Sequence, residues 1–341
     1  MRRLLATSVC STALLRGPRH CRVRMRGSLA DNPGEDSYGT PVRLARDAAV
    51  ERLEANDVAE PVASVEWLLA HVLGSTSRGA VSLAISIDKR LDADTTAEFE
   101  RLVSRRLRSE PTQYIVGKWG FHDIELELRP PILIPRPETE ELVEIILDAW
   151  KRGVHHGPVR FVDVGCGSGA IGLALLKALP KGSTCVAVDI NPDAVELSRA
   201  NARSVLGQDE ACYAAELCSA ADLAAVLRRR GGAAIDFIVS NPPYIPTRDM
   251  PTLQREVADW EDAGALDGGD DGLDVARDVL DAAFDLGVNA LWLELDTSHP
   301  EGALQDELDA QIARWTRGAV LRPMRDGSDN PRFAFVRWDN A

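Results

Sequence analysis

Val159-Arg160-Phe161-Val162-Asp163-Val164, running into Gly165-Cys166-Gly167-Ser168-Gly169, is the stretch on which the fold turns. Its first six residues, rich in β-branched and aromatic side chains, read as a strand. Three glycines at alternate positions then let the backbone approach a ligand and open a helix that runs through Leu179. The spacing is G-x-G-x-G and not the G-x-G-x-x-G of a dinucleotide pyrophosphate site. Asp163 stands two residues before the first glycine, where an acid suits a ligand carrying a cationic amine. A glycine turn can also be a plain strand–helix connection, so the neighbouring strand ends have to decide.

Downstream, strands and helices alternate. A strand at 184–189 ends on Asp189, with Asn191 as helix cap and Pro192 at the first helical position. A carboxylate there can accept both hydroxyls of a ribose. A helix at 219–229, a strand at 235–240, a helix at 272–286, a strand at 288–295 and a helix near 301–314 continue the pattern. Segments 318–323 and 332–338 predict a closing hairpin. Such alternation predicts a doubly wound α/β sheet with helices on both faces. Glycine loop and Asp189 together point to a sulfonium-bearing nucleoside, S-adenosyl-L-methionine, as cofactor.

The strand at 235–240 ends in Ser240-Asn241-Pro242-Pro243-Tyr244. Prolines freeze the backbone and donate no hydrogen bond, leaving the carbonyls of Asn241 and Pro242 as acceptors. With the Asn241 side-chain oxygen and the flat face of Tyr244, they form a cage for a planar NH2 group. Asn241, Pro242 and Tyr244 are therefore the candidate catalytic residues, and Asn241 to Tyr244 the candidate substrate site.

Upstream, three helical patterns at 41–56, 62–73 and 92–108 predict a small helical domain over 41–110. Tyr114-Ile115-Val116, the Gly117–Gly120 break and the alternating Ile124, Leu126 and Leu128 predict a β-hairpin linker over 111–135. A helix beginning at Pro137 opens the α/β domain, 136–341.

The chain has 341 residues and a net charge of −14, but the charge is uneven. Residues 1–30 hold seven arginines, several serines and no acid, the composition of a mitochondrial or plastid transit peptide, here assigned with its linker to 1–35. A secretory signal and a disordered basic arm are the competing readings. Without those seven, 32 basic residues face 53 acidic ones, a charge near −21. Gripping a nucleic-acid backbone needs a basic face, so none is expected. No apolar run approaches the roughly 20 residues of a membrane span. The cysteine and histidine spacings, including His155-His156, point to neither a disulfide framework nor a metal site.

Residues 113 to about 338 resemble the HemK/PrmC family of protein-glutamine N5-methyltransferases. The stretches that carry the resemblance are Gln113-Tyr114-Ile115-Val116-Gly117, Ile132-Leu133-Ile134-Pro135-Arg136-Pro137-Glu138-Thr139-Glu140, the glycine loop, Asn241 to Tyr244, and Ala265-Leu266-Asp267-Gly268-Gly269 with Asp271-Gly272-Leu273. Leu293-Glu294-Leu295-Asp296 with His299-Pro300-Glu301 resembles the mitochondrial branch. The resemblance implies a Rossmann-like methyltransferase sheet and a helical domain that helps hold the substrate. It implies methylation of the GGQ glutamine of a class 1 peptide chain release factor, by a monomer in the mitochondrial matrix. It also implies a cofactor site from Asp163, Gly165, Cys166, Gly167, Ser168, Gly169, Asp189, Glu216, Leu217 and Asn241, with Glu216-Leu217 beside the adenine. Glu216-Leu217 stands where the family's third strand ends in Asp and an aromatic, and Trp260-Glu261-Asp262 replaces Tyr-Glu-Pro. A nucleic-acid amino-group methyltransferase (adenine N6 or guanine N2) and a non-catalytic scaffold are the alternatives.

Overall fold

A computed structural model describes residues 39–154, 157–229, 234–295 and 319–338, with the single positions 231 and 306. The expected transit peptide, His155-His156, Asp296, His299-Pro300-Glu301 and, apart from position 306, the helix expected near 301–314 lie outside the described residues. All elements below belong to one unit, Gly39–Ala341.

The N-terminal part runs β1 (Thr40–Pro41), α1 (Val42–Glu54), α2 (Pro61–Val72), α3 (Gly79–Ser86), β2 (Arg90–Leu91) and α4 (Ala93–Arg106). Helix α4 starts where Asp92 accepts a 2.8 Å bond from the Thr95 N–H, a cap that contributes about 1 kcal/mol. Helix α3 is not predicted by the sequence pattern: its eight residues are too few to show a clear helical period, and the helix stands by burying Val81 and Ala84. Its apolar faces meet around Leu53, Leu68, Leu69, Phe99 and Leu102, a core separate from that of the sheet.

One expectation fails at the connection. Residues 112–116 form a short helix, α5 (Thr112–Val116), and not the first arm of the hairpin; β3 (Lys118–Phe121) and β4 (Ile124–Glu127) follow it. The apolar run Tyr114-Ile115-Val116 fits either period, and tertiary burial decides. Tyr114 enters the sheet core and Ile115 the helical core, and the Ile115 and Gly117 N–H groups donate to the Pro111 and Gln113 carbonyls at 3.1 and 2.8 Å, closing the helical turn. Gly117, at φ 78°, ends the helix in a left-handed cap.

The α/β part comprises α6 (Pro137–Ala149), β5 (Arg160–Val164), α7 (Ala170–Ala178), β6 (Thr184–Asp189), α8 (Pro192–Leu206), β7 (Tyr213–Leu217), α9 (Leu223–Arg229), β8 (Phe237–Ser240), α10 (Arg255–Ala258), α11 (Asp274–Asp285), β9 (Ala290–Glu294), β10 (Ala319–Arg325) and β11 (Pro331–Trp338). The seven strands lie in the order β10-β11-β9-β8-β5-β6-β7. Strands β5 to β9 pair in parallel, and β11 and β10 close one edge antiparallel. The chain winds outward from β5 through β6 and β7, then returns to β8 on the other side of β5. The switch therefore falls between β5 and β8, and the crevice beyond their carboxyl ends is where such sheets bind ligands. Both faces are covered, so Val162, Val164 and Ile238 are buried on one side and Phe161 and Val239 on the other.

Candidate active site

The glycine loop is clamped onto the end of β6. The N–H groups of Gly165 and Cys166 donate to the Val188 carbonyl at 2.8 and 3.0 Å. The Gly167 N–H donates to Asp189 Oδ2 at 2.9 Å and the Asn191 N–H to Asp189 Oδ1 at 2.8 Å. Gly169 has φ 86°, and a Cβ there would lie 2.9 Å from the Tyr213 hydroxyl, so only glycine lets the loop turn down into α7. Burial pushes the Asp189 carboxyl up, opposed by those backbone donors. Each carboxylate oxygen carries one backbone bond and keeps acceptor capacity for a further partner.

Beyond the loop opens a cleft of about 250 Å³. Of the expected cofactor residues, Gly165, Gly167, Asp189 and Asn241 line it, joined by Pro243. Cys166 and Ser168 are buried within the loop, and neither they nor Gly169 line the cleft. Asp163 is also displaced from its expected role. It alternates with Val164, so when Val164 lines the cleft, Asp163 faces the opposite side of the sheet. There it is fully buried, with Oδ2 accepting the Gly172 N–H at 3.0 Å and Oδ1 unpartnered among the described residues. Burial pushes its carboxyl up to about 7.

Glu216 and Leu217 do not form the far wall. Leu217 pairs with Asp189 across the ladder and is 61% exposed, and the chain turns over the cleft only after it. The Cys218 N–H donates to the Asp189 carbonyl at 2.9 Å, which places Cys218, Ser219 and Ala220 on the cleft. The small side chains of this run were the available signal. Asp262 at the rim was visible only as a departure from a pattern. Its N–H donates to the Pro131 carbonyl at 2.7 Å and its Oδ2 accepts from the Asn191 amide at 2.6 Å, joining two loops over the cleft.

A second cavity of about 210 Å³ adjoins the first and is lined by Arg136, Pro242, Tyr244, Leu253 and Val257. Leu133, Asn241 and Ala265 line both, so the two cavities meet at Asn241. Asn241 Nδ2 donates to Thr139 Oγ1 at 3.2 Å, which turns the nitrogen toward α6 and the carbonyl oxygen away from it. The Asn241–Tyr244 loop is held by the following glycine-rich segment. Ile245 N–H donates to the Leu266 carbonyl at 3.0 Å, and Gly268 N–H returns to the Ile245 carbonyl at 2.8 Å. Arg136 reaches Glu261 at 2.6 Å; burial pushes that carboxyl up and the guanidinium opposes the shift.

Residues 45–117 match the PrmC N-terminal domain, and residues 145–258 match the methyltransferase small domain. The chain is 36% identical over 290 residues to the human MTRF1L release factor glutamine methyltransferase, covering 83% of each. The chain belongs to the release factor glutamine methyltransferase family. Other family members include the release factor glutamine methyltransferase of Koribacter versatilis, 32% identical over 284 residues and covering 83% of this chain and 95% of that protein. That of Geobacter sulfurreducens is 39% identical over 231 residues, covering 68% and 75%. The N-terminal match spans nearly all of α1 through α5. Family membership is thus carried by the helical part and by the sheet with its glycine loop, both predicted from sequence patterns above.

Proposed function

We propose that this chain methylates the side-chain amide nitrogen of a glutamine, that of the GGQ motif of a class 1 peptide chain release factor, using S-adenosyl-L-methionine. The observation that carries this reading is the meeting of a nucleoside-sized cleft and an acceptor cavity at Asn241. The first cavity fits the cofactor. Asp189 offers acceptors for ribose hydroxyls, Gly165 and Gly167 allow close backbone approach, and Ile132, Leu133 and Ala220 give apolar walls for a planar base. When bound, the cofactor supplies an activated methyl group on a sulfonium.

An amide nitrogen is a poor nucleophile because its lone pair is delocalised into the carbonyl. Asn241 Oδ1 and the Pro242 carbonyl accept the two N–H bonds of the substrate amide and orient its nitrogen toward the junction. Tyr244 packs against the amide plane. Holding the reacting groups together in this way contributes several kcal/mol, out of the roughly 7–11 available to ideal positioning. The body of the chain is acidic, which suits a basic, RNA-binding protein substrate. The arginine-rich, acid-free first 30 residues support a mitochondrial destination.

The test is transfer of label from S-adenosylmethionine to a mitochondrial release factor, its GGQ-mutated form, or nucleic acid. Label on the wild-type factor alone supports the reading; label on RNA or DNA overturns it. Asn241→Ala is expected to abolish transfer.

A further inference from the structure

Glu294 closes β9. It is completely buried, and beyond the neighbouring Thr139 hydroxyl its carboxylate oxygens have no hydrogen-bond partner among the described residues. A buried carboxylate so poorly partnered is costly, so its presence at this position needs a reason. Strand β9 runs parallel to β8 with Leu293 opposite Ser240, which brings Glu294 level with Asn241 one step further along. Leu293 faces the α11 side of the sheet, so Glu294 faces α6, whose Thr139 hydroxyl lies beside its carboxylate. That hydroxyl already accepts the Nδ2 hydrogen of Asn241 at 3.2 Å. Thr139 is itself buried, which removes water as an alternative partner.

A hydroxyl has a single proton to give. If Glu294 is ionised, the Thr139 proton is drawn to the carboxylate and only acceptor lone pairs remain for Asn241. The amide must then present Nδ2 to Thr139 and Oδ1 to the acceptor cavity. If Glu294 is protonated, its O–H donates to Thr139 Oγ1 and frees the Thr139 proton to point at Asn241, where only the amide oxygen can accept it. The amide turned over in this way would set its own NH2 against the substrate NH2, donor against donor. We propose that Glu294, acting through Thr139, is the positioning residue that holds the oxygen of Asn241 toward the substrate amide. The inference rests on the function proposed above.

The charged groups that face Glu294 are Arg332 on β11 and Arg136 and Glu138 around the start of α6. Burial pushes its carboxyl up to about 7; Arg332 and Arg136 favour the ion, and Glu138 disfavours it. The working orientation is thus gained as pH rises through neutrality.

The experiment measures kcat against pH, with KM for release factor and for S-adenosylmethionine, in wild type, Glu294→Gln, Thr139→Val and Thr139→Ser. Wild-type kcat is expected to rise with pH across about 7, with both KM values flat over that range. Glu294→Gln, whose amide N–H mimics the protonated acid toward Thr139, is expected to lose on the order of 100-fold or more in kcat, the scale of a lost catalytic hydrogen bond. That loss should come with no acid limb and unchanged cofactor affinity. Thr139→Val should match it, and Thr139→Ser should recover most of the rate. A Glu294→Gln enzyme that keeps kcat and the acid limb overturns the inference, as does a Thr139→Ser variant no better than Thr139→Val. A wild-type enzyme inactive on release factor but active on another acceptor would instead overturn the proposed function.

Discussion

Arg106 Nη2 donates to Glu256 Oε1 at 2.7 Å, joining residues 150 positions apart in the chain. Arg106 ends α4 and is 2% exposed; its other hydrogens go to Ser64 Oγ and to the carbonyls of Ala59 and Glu110. Glu256 lies on α10, between Leu253 and Val257 of the acceptor-cavity wall. The helical part is thereby fastened to the wall that would receive the substrate glutamine.

Breaking that fastening should act on the substrate more than on the cofactor. Glu256→Ala leaves a buried guanidinium short of a partner, at a cost of about 1–3 kcal/mol. Urea unfolding should show the loss of stability. KM for release factor should rise several-fold, while calorimetric affinity for S-adenosylmethionine stays near wild type.

Gly268 has no room for a side chain. A Cβ there would lie 2.7 Å from the carbonyl oxygens of both Pro243 and Gly272, and neither can rotate away. Gly268→Ala is expected to shift the Pro242–Tyr244 loop and to cost about 1–3 kcal/mol of stability, as overpacking does. Methyl transfer should fall at least about tenfold, the effect of small misplacements on positioned reactants. Normal turnover by a well-folded Gly268→Ala enzyme would exclude the loop from catalysis.

Asp189 braces the glycine loop and lines the cleft together. Asp189→Asn keeps one acceptor but sets an NH2 against the N–H of either Gly167 or Asn191. Cofactor affinity is expected to weaken about tenfold or more, equivalent to ~1.4 kcal/mol. Titration calorimetry with S-adenosylhomocysteine measures it without turnover.

Stability should fall as pH rises through neutrality. Asp163 and Glu294 both have carboxyls raised to about 7 by burial, from ordinary values of 3.8 and 4.5. The folded state therefore holds protons that the unfolded chain has released, so their contribution is full at low pH and is lost as pH passes through about 7. Urea midpoints at pH 5.5 and 8 should differ in that direction, and Asp163→Asn should shrink the difference. An unchanged difference would mean that Asp163 ionises freely in the fold.

Much of the architecture is local and was legible. Strand β6 and the Asn191-Pro192 start of α8 appear where alternation and capping chemistry predict them, because both signals are complete within a few residues. Failures have a common cause. Tyr114-Ile115-Val116 suits a helix or a strand, and the choice depended on two cores that the run itself does not contain. The position of Asp163 two residues before the first glycine predicts a ligand contact, yet the side-to-side alternation along β5 sends its side chain away from the cleft. Glu216-Leu217 was placed by analogy of position, whereas the point at which the chain turns over the cleft follows from the Leu217–Asp189 register.

The residue types determined which groups the site can offer. A glycine loop, an acid closing the next strand and an Asn-Pro-Pro-Tyr turn supply close backbone, carboxylate oxygens and free carbonyl acceptors, because these are properties of the groups themselves. Folding settled their neighbours. Arg106 meets Glu256, and Thr139 stands between Glu294 and Asn241, only after distant elements pack. Such pairings depend on three-dimensional register and burial, which no spacing along the chain encodes.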